Sequence, residues 1–403
     1  MPVLRNISQL ATCPPGNHQS NAGLIDNAAL AWTGDTIGWV GPASELPSGY
    51  EGEAVIDCER RLVVPGLVDC HTHLCFGGWR ADEFQSRLEG ATYQEIAAAG
   101  GGIASTVTAT RAASTGTLKR KAEKALDAML RLGVTTVECK SGYGLDISNE
   151  LKQLEVYRQL NLSHAVELAP TFLGAHIVPP EYSRSRGKYI RLLCDELIPL
   201  VAKEGLALFC DAFVEQGAYS VDEAREIFSS AIAAGLKIKV HADQLSDGGG
   251  ALLASEMGAV SAEHLEYISG AGIEALANSG TVAVSLPLAS LYLGEPCLPA
   301  RKLLSAGVPV AVATDFNPGS APSFHLPLAM SLACLTQQMT PQEVITGVTT
   351  VAARAIASHD RIGSLLPGFQ ADLAIIDTPS INQWLYHFVS NACVGVLKKG
   401  IWV

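Results

Sequence analysis

The residues best suited to chemistry are five histidines and one aspartate that fall where apolar runs end. His71 and His73 flank a threonine just after LVDC. His176 follows VELAPTFLGA, His241 follows LKIKV, His264 follows AVSAE, and Asp315 follows VPVAVAT. On a β-strand, side chains two residues apart project from one face, so the imidazoles of His71 and His73 can bind one ion together. His241 and Asp315 can add a third nitrogen and a carboxylate oxygen. Three imidazoles and one carboxylate suit a borderline ion such as zinc or iron and leave a position for water. A lone histidine at a strand end is more often a packed or surface side chain than a ligand. Five of ten histidines at such places, with a carboxylate beside them, are harder to explain that way.

These residues need a frame that brings strand ends together. Eight short apolar runs recur through the middle of the chain: VVPGLVDC, VTTVECK, VELAPTFLGA, ALFCDAFV, LKIKVH, AVSAEH, TVAVSLP and VPVAVATD. Continuous apolar runs of this length are expected of parallel strands buried on both faces. The segments between them, such as TLKRKAEKALDAMLRLG and VDEAREIFSSAIAAGL, have helical spacing and meet a glycine where a helix would stop. Alternating units of this kind predict an α/β fold, a (β/α)8 TIM-like barrel, whose strand ends converge on one rim where active sites lie. Both ends of the chain instead carry short strand-and-turn patterns, for example ALAWTGDTIGWVGP and GFQADLAIID. They predict a small β-sandwich domain assembled from residues 1–58 and 366–403, flanking a barrel over residues 59–365.

Composition narrows the partners. The chain has 403 residues, 48% of them hydrophobic, which is enough for a large core. Its formal charge is −12, so phosphate backbones are repelled and nucleic acid is not an expected partner. No stretch is long and apolar enough to span a bilayer, and the first residues carry no continuous apolar leader. Ten cysteines show no paired spacing, as expected of free thiols in a reducing, cytoplasmic setting.

PGLVDCHTHL, HADQ and ATDFNPGS together resemble the amidohydrolase superfamily, and the resemblance is closest to its imidazolonepropionase family. It extends through the long segment from CHTHLCFGGW to TATRAAS, then KSGYGLD, TFLGAHIVPPEY, KVHADQLSDGGGA and SAEHLE. The resemblance implies that His71, His73, His241 and Asp315 hold one metal ion, divalent or trivalent, zinc or iron. It implies substrate contacts from Arg80, Tyr143, His176, Gln244, Asn317, Gly319 and Ser320, with Tyr93 in a matching segment, and it suggests a homodimer. The residues themselves leave alternatives open. Arg80 can clamp a carboxylate or pair with Asp82 or Glu83. Tyr143 can meet a ligand or anchor its loop, and Asn317 to Ser320 can be an ordinary turn. Two departures matter. The fourth run, FCDAFVEQ, lacks the lysine that bridges two metals in binuclear members, which points to one ion. Gln244 stands where some relatives have Glu, and an amide cannot act as a general base.

The expected activity is hydrolytic opening of 4-imidazolone-5-propanoate to N-formimidoyl-L-glutamate, a step of histidine degradation, by a metal-activated hydroxide. Asp315 is expected to shuttle the proton and His264 to stabilise the developing charge. A deaminase or cyclic amidase acting on another small heterocycle is the alternative. A non-catalytic relative is a third reading, disfavoured because all four candidate ligands are present.

Overall fold

The computed structural model describes residues 1–50, 54–91, 95, 100–388 and 390–403. The chain opens with β1 (Val3–Ala11), β2 (Leu24–Thr33), β3 (Thr36–Pro42), β4 (Val55–Asp57) and β5 (Leu62–Pro65). The middle supplies β6 (Leu67–Asp69), β7 (Val134–Lys140), β8 (Glu167–Ala175) and β9 (Phe209–Val214). It continues with β10 (Lys237–Ala242), β11 (Ser261–His264), β12 (Val282–Ser285) and β13 (Val310–Val312). The end adds β14 (Leu373–Ile376), β15 (Cys393–Lys398) and β16 (Ile401–Trp402).

Strands β6 to β13 lie side by side in sequence order as one parallel sheet of eight. They coincide with the eight apolar runs, and most of their side chains are buried, as a sheet covered by helices demands. Several helices begin on polar caps. Ser114 accepts from the Thr117 amide at the start of Thr115–Leu130, and Ser220 with Glu223 forms a capping box on Val221–Ala233. The result is a (β/α)8 barrel.

The barrel closes at its seam through the residues singled out above. Just past the ends of β6 and β13, the Asp315 amide donates to the His71 carbonyl at 3.1 Å, and the His73 amide donates to the Phe316 carbonyl at 2.9 Å. One residue layer below, the Asp69 carboxylate accepts from the Thr314 amide at 3.1 Å and the Thr314 hydroxyl at 2.6 Å. Asp69 is fully buried, and burial pushes its carboxyl up to about 7.

The terminal strands form a second sheet, in the order β16-β15-β14-β5-β1-β2-β3 with β4 beside β1. It has a core of its own around Leu4, Ile7, Leu30, Trp32, Leu373 and Leu397. The run VVPGLVDC is divided between the two sheets: β5 pairs with β1 and β14, while β6 starts the barrel. Gly66 is the joint, because a Cβ there would lie 2.3 Å from the Thr135 hydroxyl oxygen. All ten cysteines are free. No helix among the described residues is long and apolar enough to cross a membrane.

The seam clamp has a measurable consequence. Thr314→Val keeps shape but leaves a buried carboxylate oxygen without its donor, and is expected to lower unfolding free energy by about 1–3 kcal/mol. Denaturant unfolding measures this. A change below about 0.5 kcal/mol, the size typical of an inconsequential substitution, would show that the clamp does not hold the seam.

Candidate active site

Strand geometry brings the predicted ligands to one point. His71 and His73 follow β6 with their rings on one side, His241 sits near the end of β10, His264 ends β11, and Asp315 follows β13. His71 Nε2 is 3.3 Å and His73 Nε2 3.5 Å from Asp315 Oδ1, and His241 Nε2 is 3.4 Å from His73 Nε2. Ligands about 2.0–2.1 Å from a tetrahedral zinc ion would stand roughly 3.3–3.4 Å apart, so these spacings are those of a coordination cage. The atoms also behave as a cage. Both nitrogens of His71 are buried without a hydrogen-bond partner, so the close approach to Asp315 is not a hydrogen bond. His71, His73 and Asp315 can hold a metal ion together, and so can His71, His241 and His264.

The electrostatics ask for positive charge at that point. Burial holds the imidazoliums of His73 and His241 down, so both rings keep their lone pairs; for His73 the neighbouring His176, His241 and His71 act in the same direction. Burial and the Lys140 ammonium also push His71 down, but Glu263 and Asp315 outweigh them and carry it up to about 9. The carboxylates around His71 thus favour positive charge at this point.

Behind the ligands lies a layer of fully buried charge. Glu138, Lys140, Asp211, Lys239 and Glu263 each have no exposed side-chain surface. Lys140 Nζ stands 2.9 Å from Glu138, 2.9 Å from Asp211 and 3.4 Å from Glu263, while Lys239 Nζ stands 2.8 Å from Glu263. Burial opposes the Lys140 charge, but its three carboxylate neighbours hold the ammonium well above its usual range. Asp211 approaches His241 Nδ1 at 2.9 Å, and Glu263 approaches His71 Nδ1 at 3.4 Å. Each carboxylate thus backs the far nitrogen of a candidate ligand, an arrangement that fixes ring orientation and tautomer at metal sites.

Above the cage opens a cavity of about 470 Å³, lined among others by His73, Arg80, Tyr143, His176, Gln244 and Asp315. Buried side chains hold its loops in place. Glu150 accepts from the amides of Gly142, Gly144 and Leu145, and Gln153 accepts from the amide of Tyr143 itself. Asp243, in left-handed backbone at φ 50°, accepts from Gly248, Gly250 and Ala251 and so folds the turn carrying Gln244. His176 Nδ1 lies 3.0 Å from the Gly142 carbonyl. It must donate there, which leaves Nε2 as an acceptor.

Asn317 organises the turn after Asp315. Its Oδ1 accepts from the Gly319 and Ser320 amides, and its amide group donates to the Asp315 carbonyl at 2.7 Å and the Ser320 hydroxyl at 2.8 Å. Both readings of Asn317–Ser320 therefore hold: the segment is a turn, and it lines the cavity. Gly319 has a sharper role, since a Cβ there would meet Arg80 Nη2 at 0.9 Å. Only a glycine lets the guanidinium lie across that backbone. Arg80 Nε is 3.6 Å from Glu83 and makes no hydrogen bond, so the ion pair is loose.

Every predicted substrate contact among the described residues thus borders the cavity; Tyr93 lies outside the described residues. His71 lies beneath the cavity and does not border it. Arg87, Phe213 and Glu295 also line it without having been singled out in the sequence, as does Glu83, which the sequence marks only as a possible partner of Arg80. The buried charged layer is likewise absent from the sequence reading. A signal existed: Lys239 precedes His241 by two residues and Asp69 precedes His71 by two, so both share an inward face with a ligand.

Comparison with known proteins places the chain in a family. Residues 62–403 match the amidohydrolase family. The chain is 48% identical to an imidazolonepropionase of Xanthomonas campestris pv. campestris, covering 96% of each chain. It is 46% identical to one of Geobacillus kaustophilus, covering 94% of this chain and 91% of the relative. Among solved structures, a zinc-bound adenosine deaminase of Xanthomonas campestris superposes with a TM-score of 0.74 at 18% identity, covering 100% of this chain and 92% of that one. An ochratoxinase of A. niger superposes with a TM-score of 0.72 at 18% identity, covering 100% and 95%. At that identity the structures speak for the shared fold, and the family rests on the sequence relatives: the chain belongs to the amidohydrolase family, within its imidazolonepropionase group.

Proposed function

We propose that this chain hydrolyses 4-imidazolone-5-propanoate to N-formimidoyl-L-glutamate, using one metal ion held by His71, His73, His241 and Asp315. The observation that carries this reading is an arginine and an imidazole cage facing one cavity whose size suits a small carboxylated ring. A bound zinc or iron ion would supply a water acidic enough to ionise near pH 7 and a Lewis-acid contact for the carbonyl oxygen.

The protein's own groups do the rest. Arg80 binds the propanoate tail through charge-assisted hydrogen bonds, with Tyr143 beside it. His176 accepts a ring N–H at Nε2, and Gln244 orients the ring by its amide. Water adds to the ring carbonyl carbon. Asp315 takes the water's proton and returns it to the ring nitrogen as the C–N bond breaks, while His264 steadies the charge on the carbonyl oxygen. Asp315 Oδ2 is held 3.4 Å from the Ser320 hydroxyl, which aims the carboxylate. The same reading treats the enzyme as a cytoplasmic homodimer. It divides the chain into a small unit from 1–58 and 366–403 and a barrel over 59–365; the pairing of Leu62–Pro65 favours moving the first edge to Gly66.

Two substitutions test the tail contact from different directions. Arg80→Met removes the charge, and a lost charged hydrogen bond costs about 1.5–3 kcal/mol, roughly ten- to a hundredfold in kcat/KM. The loss should appear with the propanoate substrate and largely vanish with an analogue lacking the carboxylate. Gly319→Ala should reproduce it with Arg80 still present, because the new methyl displaces the guanidinium. Equal losses on both compounds, or a Gly319→Ala enzyme with normal KM, would refute the assignment.

A second test separates ligand from stabiliser. Asp315→Asn should lose most bound metal and nearly all turnover, whereas His264→Ala should keep the metal and lose kcat. Metal analysis beside steady-state kinetics decides it. A metal-free His264→Ala protein would move His264 into the ligand set.

A further inference from the structure

Lys140 is buried at the heart of the charged layer, and its ammonium touches carboxylates from three different strands: Glu138 on β7, Asp211 on β9 and Glu263 on β11. Lys239 differs, since it also donates to the Ala355 carbonyl at 3.1 Å. The contact of Lys140 with Asp211 is one of charge. Asp211 Oδ2 has Lys140 Nζ and His241 Nδ1 each at 2.9 Å, yet it has no partner in hydrogen-bond geometry. His71 Nδ1 and His241 Nδ1, aimed at the same layer, are likewise buried without such a partner. Ligand atoms of Asp211, His241 and Glu263 lie close enough together to hold a cation. The ammonium sits among them.

We propose that Lys140 is a positioning residue that takes the place of a second metal ion, its ammonium pinning the Asp211 and Glu263 carboxylates that orient His241 and His71. This rests on the metal-centre reading above and deepens it: the chain holds one ion because a side chain already supplies the second positive charge. The three carboxylates of the layer exceed its two ammoniums by one negative charge, and Asp315 adds another.

The test compares the full chain with Lys140→Met, which keeps the stem length and removes the charge, and Lys140→Arg, which keeps the charge. Each is stripped with chelator, equilibrated with excess zinc, desalted and analysed for zinc per chain. The expected result is one ion for wild type, two for Lys140→Met and one for Lys140→Arg. If Lys140→Met is insoluble when expressed without added zinc, recovery of soluble two-zinc protein in zinc-supplemented medium is expected; failure of zinc to recover it overturns the proposal. A folded Lys140→Met holding a single ion also overturns it, as does Lys140→Arg holding two. A wild type that binds no zinc or iron would instead refute the metal-centre reading from which the proposal starts.

Discussion

The structure is organised around contacts that are close but unbonded. Imidazole nitrogens and a carboxylate oxygen meet at 3.3–3.5 Å, buried, with no hydrogen-bond partner for His71 on either ring nitrogen. Leaving buried polar atoms unsatisfied costs about 1–3 kcal/mol each, so a fold that gathers several needs a compensating group. A cation at the common focus would satisfy the atoms that face it, while Glu263 and Asp211 stand behind the far nitrogens of His71 and His241. Much of the remaining architecture can be understood as the means of keeping those atoms at that spacing.

Those means are shared between folding and function. The same peptide groups that carry His71, His73 and Asp315 close the barrel seam. Left-handed backbone at His264 (φ 75°) and Asp315 (φ 55°) turns both side chains off their strands, a conformation that costs non-glycine residues free energy and tends to cluster at active sites. Below them, buried carboxylates paired with lysines approach the far ring nitrogens of His71 and His241. Breaking such a layer by removing one partner is more damaging than never having built it, which ties the geometry of the cage to the stability of the barrel.

The fold and most of the candidate site are legible in the sequence because both are written in local pattern. Apolar runs with histidines at their ends state strand, direction and rim together, and the H-x-H spacing of His71 and His73 states a shared face. What escaped was set by tertiary geometry. Nothing local distinguishes Gly319 as the bed of Arg80, since that contact joins the loop after β6 to the turn after β13. Leu62–Pro65 looks like the start of a barrel strand, and only pairing with β1 and β14 assigns it to the other sheet. Glu138, Asp211 and Glu263 look like isolated charges in apolar strands; they become a layer only when the barrel closes and Lys140 and Lys239 stand between them.

The central claim is that three imidazoles and one carboxylate form a single-ion centre. X-ray absorption at the metal edge of the purified protein addresses it most directly. The account predicts one zinc or iron ion per chain, nitrogen and oxygen neighbours at about 2.0–2.1 Å, the multiple-scattering signature of imidazole rings, and no metal–metal vector. Sulfur in the first shell at about 2.3 Å, an ion without imidazole scattering, or a metal–metal vector would contradict it.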